Sequence, residues 1–143
     1  MMAKKQLLTV FSKLLLSTCA SVEKTHIGQQ ELLEAITAGN PPVIVDVRSQ
    51  WEYDAGHVPG AIHVPFWWAF SPAQLQQVKP EEPLVVYCAH GPRAGIAKFA
   101  LFLSGYDNIR YLEGHMTAWK EAGLPLQTAP PEPAATALQS RDD

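Results

Sequence analysis

Short unbroken apolar runs alternate along this chain with stretches whose apolar positions recur at helical spacing, the pattern of a parallel sheet wrapped by helices. Val43-Ile44-Val45-Asp46-Val47 and Leu84-Val85-Val86-Tyr87 are the clearest runs and suit strands covered on both faces. Ala61–Val64 and Asn108–Leu112 predict two more strands, and Thr25–Ile27 an edge strand. Gln29–Ala38 carries Leu32, Leu33 and Ile36 on one side and stops at Gly39 before Pro41-Pro42, which predicts an amphipathic helix. Ala94–Leu103 predicts a second, with Ile96, Phe99, Ala100 and Leu103 on one side, and Gly114–Ala122 a third that Gly123 ends. Ser71–Val78 predicts another, capped by Ser71 with Pro72 at its first position. Ser49-Gln50-Trp51-Glu52 has the hydroxyl and carboxylate spacing of a capping box and predicts a short helical turn, while Gly56-His57-Val58-Pro59-Gly60 is turn chemistry.

Composition narrows the class of protein. A chain of 143 residues, 47% hydrophobic and 17% charged, has the size and apolar content of one domain. Its net charge of -3 and lack of a basic block beyond Lys4-Lys5 offer no field for a phosphate backbone, so no nucleic-acid partner is expected. The two cysteines, Cys19 and Cys88, cannot build a disulfide framework or a four-cysteine zinc site. The five histidines lack metal-ligand spacing, and no metal or other cofactor is expected.

Both ends read differently from the middle. Lys4-Lys5, the apolar run Leu7–Leu16 interrupted by Lys13, and the small residues Ser17 to Ala20 follow the order of a secretory signal, with cleavage after Ala20. Leu16-Ser17-Thr18-Cys19 also resembles a lipoprotein box in which Cys19 would carry the lipid and form the only link to a membrane. Residues 1–20 are therefore expected to be a leader to the bacterial periplasm or a membrane anchor, the alternative being an amphipathic helix on a cytoplasmic domain. Residues 128–143, with Pro130, Pro131 and Pro133 and no apolar periodicity, read as a disordered tail. The domain is expected over 25–127.

Within it, Cys88 stands directly after a buried strand and just before a helix, at the sheet edge where open α/β folds place their ligands. The loop Cys88-Ala89-His90-Gly91-Pro92-Arg93 is short enough to curl its N–H groups around one centre, with the positive end of the following helix behind it. Such surroundings favour a thiolate. Gly91 permits a crowded backbone, Pro92 sets the helix entry, and Arg93 brings a permanent charge that can face an anionic substrate.

These motifs together resemble the single-domain rhodaneses, thiosulfate sulfurtransferases. The likeness rests on Val43–Arg48, Glu52, Gly56–Ile62, the Cys88–Arg93 loop, and Gly114 with Trp119 and Gly123-Leu124-Pro125, and runs from about Thr25 to Gln127. It implies an α/β fold of about five parallel strands with helices on both faces. It also implies transfer of sulfane sulfur from thiosulfate or a persulfide donor to cyanide or a thiol, through a persulfide on Cys88. Related phosphatases and arsenate reductases have one residue more between cysteine and arginine, a wider cradle for an oxyanion; the tighter ring here suits sulfur. Many relatives have serine where Ala94 follows Arg93, and Pro92 lacks an N–H, so this cradle has fewer donors.

Other residues carry two readings each. His90 can contact the donor or move a proton, or point into water. Asp46 and Arg48 end a strand on the same sheet edge as Cys88 and can support the loop; alternatively Asp46 holds neighbouring backbone while Arg48 pairs with Glu52 or Asp54. His57 reads as a packed turn residue before a base, and Glu52 as a cap. Phe66, Trp67, Trp68 and Phe70 read mostly as core, with Trp67 and Trp68 as a candidate pocket rim favouring a less polar acceptor than cyanide. Two functions besides the enzyme remain open: a sulfur carrier or redox module served by a protein relay partner with little thiosulfate activity, and a non-catalytic binding module, against which Cys88 and Arg93 argue.

Overall fold

The computed structural model describes residues 24–128; the predicted leader and most of the predicted tail lie outside the described residues. Five strands form one sheet in the order β1-β5-β4-β2-β3. They are β1 (His26–Ile27), β2 (Val43–Asp46), β3 (Ile62–His63), β4 (Leu84–Tyr87) and β5 (Ile109–Leu112). Every pairing is parallel, with Val45 opposite Val86 and Asp46 opposite Tyr87 at the centre. The expected α/β architecture is therefore present.

Side chains alternate across the sheet, as pleating requires. Val45, Val47, Leu84, Val86 and Cys88 face one core; Ile44, Val85 and Tyr87 face the other. Helix α3 (Pro92–Leu103) covers the first, while α1 (Gln29–Thr37) and α4 (His115–Glu121) cover the second through Leu32, Met116 and Trp119. The short α2 (Gln50–Asp54) follows β2, and Glu52 accepts hydrogen bonds from the Ser49 N–H at 3.0 Å and hydroxyl at 2.6 Å, as the capping pattern predicts. Gln127 closes the domain by pairing its backbone with His57, at 2.9 and 2.8 Å.

Two elements depart from expectation. Ser71–Val78 forms only a 3-10 turn, Ala73–Leu75, because Pro72 sits at ψ 79, outside the helical region, and only Leu75 of the segment is fully buried. Helix α3 buries only Ala100 of the four residues that the spacing groups on one side. Ala94, Ala97, Ala100 and Leu101 face the sheet, while Ile96, Phe99, Phe102 and Leu103 stand 47 to 61% exposed. Small residues bring the helix close to the sheet, and the space beside them is filled from elsewhere by Val64, Ala69 and Leu75.

No helix among the described residues is long and apolar enough to cross a membrane.

Candidate active site

Strand order places a crevice at the carboxyl ends of β2 and β4. The chain leaves β2 toward β3 on one side and leaves β4 toward β5 on the other, the arrangement that opens a ligand crevice in such sheets. Cys88 follows β4 there and is 1% exposed. Its Sγ accepts a hydrogen bond from the Gly91 N–H at 2.9 Å, so the loop does curl around the sulfur. Gly91 reaches that position with φ 128, a conformation open to glycine and strained for other residues.

Helix α4 fixes the outside of the loop. Met116 N–H donates to Cys88 O at 3.0 Å, and Thr117 donates to Ala89 O from both its N–H at 3.3 Å and its hydroxyl at 2.9 Å. The first-turn donors of one helix thus satisfy loop carbonyls. The N–H groups of Ala89, His90, Arg93 and Ala94 have no acceptor among the described residues. Pro92 contributes none, as its chemistry dictates. The result is a buried sulfur that accepts one backbone N–H at the start of a twelve-residue helix.

Arg93 departs from the expectation of a charge free to face substrate. It forms a two-pronged pair with Glu52, Nη1–Oε2 at 2.6 Å and Nη2–Oε1 at 2.9 Å, and so ties the start of α3 to α2. Arg93, with help from Ser49, holds the Glu52 carboxyl well below the usual carboxylate range. Arg48 also departs: it pairs with neither Glu52 nor Asp54. Its Nη2 meets Asp46 Oδ2 at 2.6 Å and donates to Gly56 O at 2.8 Å, while Asp54 is taken by Gln50. Adjacent backbone explains the choice, because the Arg48 N–H also donates to Asp46 and brings the two side chains together.

Asp46 is a buried hub beneath the crevice. Besides Arg48, it accepts the Tyr87 hydroxyl at 2.7 Å, which in turn receives the Val58 N–H at 3.1 Å. Burial, then the Asp46 carboxylate, push the Tyr87 phenol well above its ordinary value and keep it a donor. His57 is buried, stacks on Tyr53 at 3.7 Å and makes a hydrogen bond with Tyr53 O through Nδ1. These three residues support backbone around the crevice.

Beside the loop lies a pocket of about 240 Å³ lined by Arg48, Trp51, Glu52, Ala89, His90 and Lys120, among others. His90 is exposed at its edge. Trp67 and Trp68 are not among its lining residues; both are more than half exposed in a 3-10 turn packed near α3, and Phe70 is equally open. Of the expected aromatic core, Phe66 alone packs against buried residues.

One residue escaped the reading of the sequence. His115, at the start of α4, has its Nδ1 3.3 Å from the Cys88 N–H, and its Nε2 would stand 3.4 Å from a methyl group built on Gly91. It is also the one non-glycine residue with positive φ among the described residues, at 53. Such a conformation costs on the order of 1 kcal/mol outside glycine. Its signal in the sequence is a histidine following Gly114 at a helix start.

A doubly covered parallel sheet with a cysteine-centred loop at its switch point defines an α/β protein whose candidate site lies at a strand end. Residues 28–122 match the rhodanese-like domain family, and the chain belongs to that family. It is 27% identical to a sulfurtransferase of Allochromatium vinosum over 71% of this chain and 92% of that one. It is 34% identical to the thiosulfate:glutathione sulfurtransferase of Saccharomyces cerevisiae over 57% of this chain and 66% of that one. A rhodanese-like domain protein from Staphylococcus aureus superposes with a TM-score of 0.61 at 29% identity, covering 74% and 99% of the two chains. The chain spans 59% of the length of a 34%-identical Synechocystis protein, so the shared domain is also part of longer proteins.

Proposed function

We propose that this protein moves sulfane sulfur from thiosulfate or a persulfide donor to a thiophilic acceptor through a persulfide on Cys88. The observation that carries the reading is the Gly91 N–H on Cys88 Sγ within a loop whose Ala89, His90 and Arg93 N–H groups have no acceptor among the described residues. Family membership and relatives that are sulfurtransferases support the chemistry.

In the first step the Cys88 thiolate attacks the outer sulfur of thiosulfate. The new S–S bond forms as the old one breaks, and sulfite leaves with the electron pair. The persulfide anion then lies among the loop N–H groups, where fixed dipoles oppose its charge without reorganisation. In the second step cyanide, or a thiolate, attacks the outer sulfur and leaves as thiocyanate or an organic persulfide, regenerating the Cys88 thiolate. No separate base is required, so the structural setting of His57 fits. The pocket beside Ala89 and His90 is the approach for donor and acceptor, with Lys120 supplying positive charge while Glu52 is neutralised by Arg93.

Intact-mass measurement after thiosulfate treatment tests the proposal. One added sulfur atom on Cys88, removed by cyanide, is the expected result, and Cys88→Ala should neither gain the mass nor turn over. Full sulfur transfer by Cys88→Ala would overturn it.

A further inference from the structure

His115 enters neither step above, yet its backbone is held in a left-handed conformation at the one place where its ring can meet the Cys88 loop. The contact has a defined polarity. Cys88 N–H is a donor, so Nδ1 must present a lone pair, and the neutral ring carries its proton on Nε2, the atom facing Gly91. The ring therefore touches the loop at Cys88 and at Gly91, the residue whose N–H holds the sulfur. Around it lie Tyr111, its ring 6.2 Å away, His26 beyond Tyr111, Lys98 over the Tyr111 face, and His90 in the loop. The neighbouring carboxylate, Glu113, reaches toward Gly28.

We propose that His115 is a positioning residue whose neutral imidazole braces the Cys88 loop in its sulfur-holding form, and whose protonation releases that brace. The proposal rests on the sulfur-transfer reading for its consequence, but not for its structural content. A proton on Nδ1 would set two donors against each other, so the Cys88 N–H would lose its acceptor and the loop its support. Burial first, and then the charges of His26 and His90, lower the His115 pKa. The sign follows: the brace is intact at neutral pH and is lost as pH falls through a value below the ordinary 6.5.

Two variants separate bracing from folding. His115→Gly suits the positive φ, which offsets the lost contact, so it should stay folded with stability to denaturant within about 1 kcal/mol of the parent, yet its persulfide formation should be about tenfold slower at neutral pH, the equivalent of about one hydrogen bond. His115→Asn tolerates the same φ and keeps an acceptor without a titrating ring, so it should retain the neutral-pH rate within about threefold and lose the one-proton acid limb. His26→Gln and His90→Gln should keep that limb.

The structural half is read by NMR without any sulfur chemistry: in the parent, the Cys88 amide proton should titrate with the His115 ring, and in His115→Asn it should not. A Cys88 amide indifferent to His115, or an acid limb that survives in His115→Asn, overturns the brace. A titrating amide in a protein that never gains sulfur leaves the brace standing and removes the proposed function instead.

Discussion

At Tyr87 a single hydroxyl joins three parts of the chain: it donates to Asp46 from β4 to β2 and accepts the N–H of Val58 in the turn before β3. Tyr87→Phe keeps the ring in the core but strands the buried Val58 N–H and takes one donor from Asp46. A loss of about 1–3 kcal/mol is expected, with Cys88 alkylation little changed, as measured by urea unfolding and iodoacetamide kinetics. The residue scale also shows what a linear reading can find. Cys88, Gly91 and the Ser49–Glu52 cap are local, each set by a few neighbours, and were legible. The Arg93–Glu52 pair joins residues 41 apart, and the His115 contact spans 27, so neither partner choice is written in its surroundings. For Arg48, Asp46, Glu52 and Asp54 all lie close in sequence; the backbone bond to Asp46 decides among them.

Helix α3 teaches the corresponding lesson for elements. Its apolar residues run nearly all the way round, so periodicity locates a helix without saying which side is inward. The spacing groups Ile96, Phe99, Ala100 and Leu103 on one side, whereas the sheet is met by Ala94, Ala97 and Ala100, whose small side chains let the helix lie close to it. The two settings predict opposite mutational costs. Ala97→Leu should overpack the interface and lose about 1–3 kcal/mol. Phe99→Gln, at a position 60% exposed, should change folding stability by no more than about 0.5 kcal/mol. Thermal or urea unfolding of the pair distinguishes them, and the reverse ranking would mean that the large residues face the sheet. The segment 71–78 failed for another reason: with Leu75 its only fully buried residue, a full helix there would have little apolar surface to bury.

For the whole molecule, the Arg93–Glu52 pair links the two covered faces of the sheet, joining α3 on one side to α2 beside the other. Because Arg93 depresses the Glu52 pKa, the folded state binds the Glu52 proton less readily than the unfolded chain does. The pair's stabilisation is therefore complete above the ordinary carboxylate value near 4.5 and drains away as pH falls below it. Glu52→Gln should cost about 1–2 kcal/mol at neutral pH for a pair this partly open to solvent. That deficit should shrink as the pH is taken from 5 toward 3, because the unfolded parent takes up a proton at Glu52 that the folded pair resists. Urea midpoints across that range measure the convergence. Two parallel stability curves would mean that neither Arg93 nor the Ser49 cap lowers the Glu52 carboxyl in the folded state, and that α2 and α3 are held together by packing without the charge.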